Sequence, residues 1–297
     1  MNIPAGVEIK DGVLRKCPQH FAGHLEIPEG VHAISMEAFL DCKKLTCVHI
    51  PTGCRSIGPS AFAGCSSLGK VHVPAGCISV AEDAFYGCSS LENIHIPDEC
   101  WRIERQAFQG CSSLTNFHVP DKCVSIEAAA FYECAALTSI HIPDECRTVG
   151  SQAFMECRAL ADIHLPDSCE KISEWLLAGC GALHRVTLPA MCTEICGRAF
   201  YNCKSLDNVY IPETVKTIGI DCFAGCERLD HAFVPPECSY VKSSFPKSCH
   251  IFRSPTEYRT HLARILVEER ENDSVDVVGM QKPQPEHAVD SRGGRCI

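Results

Sequence analysis

The chain has 297 residues, with 27 Lys and Arg against 37 Asp and Glu, a formal charge of −10 with neutral histidines and an apolar fraction of 45 %. That acidic balance argues against a nucleic-acid groove, and the apolar fraction excludes disorder throughout. No run approaches the roughly 20 apolar residues needed to cross a bilayer, and the start from Met1 to Glu8 has no apolar stretch behind a basic head. The expectation is a cytoplasmic protein without membrane insertion.

Taken in chain order, residues 1–24 read as a cap, because Glu8-Ile9-Lys10-Asp11-Gly12-Val13-Leu14 has the pattern of a hairpin around an Asp-Gly turn. From residue 25 to 252 the chain repeats. An aliphatic residue followed by proline recurs every 23 residues, from Ile27-Pro28 and Ile50-Pro51 to Ile211-Pro212 and Val234-Pro235, without an insertion. A leucine column (Leu45 through Leu229), a mostly β-branched column (Val48 through Val209) and a third apolar column after the prolines (Ile34 through Val241) keep the same register. A fixed period of this kind predicts a solenoid of about ten coils that enclose one continuous core. In Leu91-Glu92-Asn93-Ile94-His95-Ile96-Pro97 the alternation predicts a short strand with Ile94 and Ile96 inward and His95 outward. Proline ends the ladder because it has no N–H to donate. Ala-Phe pairs, from Ala38-Phe39 to Ala199-Phe200, plug the core from the far side, and Glu174-Trp175-Leu176-Leu177 departs from that pattern by repacking the core or by exposing an anchor. The last coil is degenerate, because its ring arrives one place early as Phe245. Residues 253–271 read as a capping helix: Ser254-Pro255-Thr256-Glu257 is a capping box, and Tyr258, Leu262, Ile265 and Leu266 share one face. Residues 272–297 are polar, aperiodic and read as a disordered tail.

The unit Ala-Phe-Tyr-Gly-Cys-Ser-Ser-Leu-Glu-Asn-Ile-His-Ile-Pro, residues 84–97, resembles the 23-residue leucine-rich repeat of the Treponema pallidum and BspA-like class, and the resemblance covers about residues 25–250. It implies an α/β repeat solenoid, a right-handed coil with a parallel β-sheet on the concave face and short helical or irregular segments on the convex face. It also implies a surface used for binding proteins or for adhesion at a cell surface.

Of the 23 cysteines, 18 fall in two columns with the same period, one from Cys42 to Cys249 and one from Cys54 to Cys238. Val31 and Val215 stand in the second column where cysteine is missing, as expected where a thiol fills apolar space. The reading is free, buried thiols in a reducing compartment rather than a disulfide framework. No Cys-x-x-Cys occurs, so no metal or cofactor is expected.

The outward strand position is histidine in consecutive units, His49, His72, His95, His118, His141 and His164, with Asp98, Asp121, Asp144 and Asp167 beside them. Three readings fit this file. Duplication copied a solvated residue; or the file is a protein-binding surface whose charge changes between pH 5 and 8; or adjacent pairs hold a divalent metal, although structural zinc wants four converging ligands. No nucleophile elbow, zinc-protease motif or phosphate loop is present, and repetition supplies copies where an active site needs one unlike constellation. The function read from sequence is a monomeric, non-catalytic scaffold for a protein partner, with adhesion or metal-dependent binding as alternatives.

Overall fold

The computed structural model describes residues 4–265, and the chain divides into two units, one up to Ser254 and one from Pro255 on. In the first unit each coil crosses two parallel ladders. The first uses three- to six-residue strands and runs in three stretches: Ala22–Glu26, Lys44–His49 and Lys70–His72; then Asn116–His118 to Arg185–Thr187; then Asn208–Tyr210, His231–Phe233 and His250–Phe252. Between the first two stretches only a single bridge, His72 to His95, remains, so the 91–97 segment is not the regular strand its alternation predicts. Alternation survives there all the same, with Ile94 and Ile96 buried and His95 exposed, because burial depends on side-chain direction rather than on a complete ladder.

The second ladder follows each proline turn. Two-residue strands such as Ser125–Ile126 and Thr148–Val149 pair in register with their neighbours, and the aliphatic residue of each faces the core. The turn before it is closed by the cysteine amide three residues after the proline, for example Cys100 N–H to the Pro97 carbonyl at 2.9 Å. The expected N-terminal hairpin caps this second ladder: Glu8–Lys10 pairs antiparallel with Val13–Lys16, which in turn pairs parallel with Ala33–Ile34. Asp11 and Gly12 both take positive φ, as its two-residue turn requires.

The far side of each coil is made of turns rather than helices. Two positions per coil are left-handed, the one before Ala-Phe (Gln106, Ala129, Gln152) and the one before the first cysteine column (Gly87, Gly110, Glu133). Between them the phenylalanine amide donates to the alanine carbonyl of the next coil, as from Phe85 to Ala107 at 2.9 Å. The rings of Phe39, Phe62, Phe85, Phe108, Phe131 and Phe154 therefore stack through the core, with centroids 4.7 to 5.5 Å apart. Leu177 replaces one ring, and the stack resumes with Phe200, Phe223 and Phe245 at 5.1 and 5.0 Å. Phe245 thus keeps its structural place despite its shift in sequence, and a short 3-10 turn, Lys242–Ser244, takes up the missing residue. In the departing unit Leu176 and Leu177 are buried and repack the core, while Trp175 sits half-buried at the left-handed position against Tyr201 (5.8 Å) and Arg198 (4.9 Å).

The two thiol columns do more than fill space. In the first, most S–H groups donate to the phenylalanine carbonyl of the coil before, as Cys88 to Phe62 and Cys134 to Phe108 at 3.2 Å and Cys111 to Phe85 at 3.3 Å, while Cys203 donates to Leu177, which stands in the phenylalanine's place. In the second, six of the eight S–H groups donate two residues ahead, as Cys100 to Arg102 at 3.2 Å and Cys123 to Ser125 at 3.3 Å. Burial pushes the Cys65 and Cys111 thiols up to about 12, because a thiolate there would lose its hydration. In the second unit residues 255–265 are helical, in agreement with the capping-box reading. The rest of the expected helix, with Leu266, and the expected tail lie outside the described residues.

Candidate partner-binding face

The first ladder positions the candidate site. Because side chains alternate along a strand, the residue between two inward aliphatic positions must point away from the core, and parallel in-register pairing then sets like residues one above another. His49 pairs with His72, His72 bridges to His95, and His118, His141 and His164 follow in register before Thr187. All six imidazoles are exposed. The His49 and His72 rings stack with centroids 5.3 Å apart and planes 5° from parallel. The break in the ladder between His95 and His118 divides the file into two runs of three.

The four aspartates lie in the turns after the strands and are exposed. Only two have a partner that defines a role. Asp98 Oδ1 stands 3.8 Å from His118 Nε2, on the coil that follows. Asp167 instead accepts a hydrogen bond from the Ala190 amide at 2.8 Å, so it serves the stacking of coils. The structure gives Asp121 and Asp144 no side-chain partner of this kind, and they remain a solvated rim.

A second outward column, two residues before the histidines, shares the face and was not singled out from sequence: His24, Cys47, Lys70, Asn93, Asn116, Ser139 and Asp162. Its residue type varies from coil to coil, with only Asn93 and Asn116 alike, so periodicity gives it little signal. With the histidine file it lines two shallow clefts. The first has His24, Glu26, Cys47, His49, Lys70, His72, Glu92 and His95 on its walls. The second has Asn116, His118, Ser139, His141, Asp162 and His164. At the head of the file, where the next histidine would stand, Glu26 binds His24 Nε2 at 2.6 Å. Among the described residues no three His, Cys, Asp or Glu side chains converge on a point that could hold a metal ion, and no helix is long and apolar enough to cross a membrane.

Solved structures similar to the chain include a leucine-rich cell surface protein from Faecalibacterium prausnitzii, at 26 % identity over 77 % of this chain and 67 % of that one, with a TM-score of 0.49. The leucine-rich repeat protein of T. pallidum aligns at 23 % identity over 73 % of this chain and 81 % of that one, with a TM-score of 0.45. The pneumococcal vaccine antigen PcpA aligns at 18 % identity over 77 % and 62 % of the two chains, with a TM-score of 0.48. No curated protein matches the sequence. The BspA type leucine-rich repeat region, in 6 copies, matches residues 8–135 and 124–252, nearly the whole of the first unit. The chain belongs to the BspA-type leucine-rich repeat family, whose members are generally non-catalytic repeat proteins.

Proposed function

We propose that this chain is a non-catalytic, monomeric scaffold that binds a protein partner across its concave strand face. The contact is centred on His49, His72, His95, His118, His141 and His164, with Asp98, Asp121, Asp144 and Asp167 at its rim. One observation carries the reading: in-register pairing lines six exposed imidazoles along one face. Five of the six backbones beneath them lie in ladder strands and the sixth, at His95, is bridged to His72, so a partner meets a preformed surface and little conformational entropy is lost on binding.

We place the protein in a reducing compartment rather than on a cell surface. The S–H groups of both thiol columns donate to backbone carbonyls, a role that oxidation to disulfides would remove. The experiment is affinity capture with the wild-type chain and with a His95→Thr, His118→Thr, His141→Thr variant, threonine being the residue that stands in this column at Thr187. The reading expects specific partners to disappear with the variant. Unchanged capture moves the binding site off this face, and capture abolished by a chelator alone would favour metal-dependent binding.

A further inference from the structure

The two halves of the histidine file have different electrostatic surroundings. His118, His141 and His164 each have an aspartate twenty residues earlier, Asp98, Asp121 and Asp144, and Asp162 joins them in the second cleft. Arg185, exposed and paired in register with Asp162, shares that end, so its formal charge is −3 with neutral histidines and 0 with all three protonated. At the other end the same offset from His49, His72 and His95 falls on Glu29, Thr52 and Ala75. The groups facing that first cleft are Lys70, the carboxylates of Glu26 and Glu92, the Cys47 thiol and a fourth imidazole, His24, and Glu29 stands in the turn at its rim. Counting Glu29 at the rim, the formal charge of this end is −2 with neutral histidines and +2 with all four protonated. Only this end changes sign.

We propose that the His49, His72 and His95 end, with Lys70, is a subsite for an acidic peptide segment of the protein partner, and that it binds that segment with uptake of protons. The proposal rests on the concave face being the binding surface and names the chemistry of what it takes. Stacked imidazoles 5.3 Å apart, as at His49 and His72, repel one another once charged. A row of carboxylates laid across them relieves that repulsion, so binding and protonation favour each other. At the other half the rim already supplies the anions, as Asp98 does beside His118.

The test is fluorescence polarisation of a labelled oligoglutamate with the full chain at pH 6 and pH 8, at low ionic strength. The expected result is binding at least about tenfold tighter at the lower pH. That gain disappears in a His72→Thr, His95→Thr variant and persists in a His141→Thr, His164→Thr variant. All four positions are exposed, and Thr187 occupies the same column, so both variants keep the fold. Absence of binding at both pH values, or a gain that survives in the first variant, overturns the proposal. Equal binding of polyphosphate of matched charge overturns the assignment to peptide carboxylates. If oligoglutamate fails while the His95, His118, His141 variant still loses its captured partners, the concave-face reading stands and only the acidic subsite falls.

Discussion

Buried thiols make the fold sensitive to alkali. Burial in the first cysteine column raises the thiols of Cys88, Cys111, Cys134, Cys157, Cys180 and Cys203, whereas an unfolded thiol keeps its ordinary value of 9.0. The sign follows from linkage: a group whose folded value is raised contributes stability that is complete below the unfolded value and is lost as pH rises toward the folded one. At pH 10 ionisation of one unfolded thiol favours the unfolded chain by about 1.4 kcal/mol, so six together favour it by about 8 kcal/mol. That matches the usual 5–15 kcal/mol stability of a folded domain. The reduced protein is therefore expected to hold its fold through pH 9 and to unfold in one steep step near about pH 10. Thiolate ultraviolet absorbance and far-ultraviolet circular dichroism, followed together against pH under reductant, measure this directly. The two signals should change together. A gradual thiolate rise centred near the ordinary value of 9.0, with the β signal intact, would show that the columns are open to solvent and refute the reasoning.

Other consequences are local. Phe131 stacks on Phe108 and Phe154 and meets the edge of Phe117 at 4.7 Å, so Phe131→Ala should cost about 3–5 kcal/mol in urea unfolding. Phe131→Leu should cost only about 1 kcal/mol, since Leu177 already fills one such slot; equal losses for the two would contradict the ring stack. Cys123→Val should cost about 1 kcal/mol or less, as Val31 and Val215 stand in its column. Cys111→Val should cost about 2–3 kcal/mol, through overpacking and loss of the bond to the Phe85 carbonyl, and equal midpoints would remove the distinction between the columns. Gly110 has φ +73°, and an added Cβ meets nothing nearer than 3.5 Å, so Gly110→Ala should cost about 1 kcal/mol of backbone strain alone, read from the same unfolding curves.

The repeat made the solenoid, its inward columns and the outward histidines legible, because each rests on one class of residue recurring every 23 positions. The second ladder was not legible: it contributes two residues per coil, as at Ser125–Ile126, too few to show alternation. Phe245 looked like a defect because a linear register cannot show that Lys242–Ser244 tightens and returns the ring to its stack. Val31 and Val215 pointed to packing at the second thiol column, but the hydrogen bonds of both columns run between coils or across a turn and leave no mark on composition. The same holds for the candidate face. His49 through His164 repeat and are seen, while Lys70, Glu26 and Asp162 differ from coil to coil and gain meaning only when stacking sets them beside the file.

The central claim is that a protein partner lies across the histidine face. It is tested most directly by photocrosslinking from a photoreactive residue placed at Ser139, in the second outward column beside the file, and from another at the exposed Arg158 on the turn side of a coil. The account predicts a partner adduct from Ser139 that is lost when His118 and His141 are replaced by threonine, and none from Arg158. An adduct from Arg158 alone, or one from Ser139 indifferent to the histidines, would contradict it.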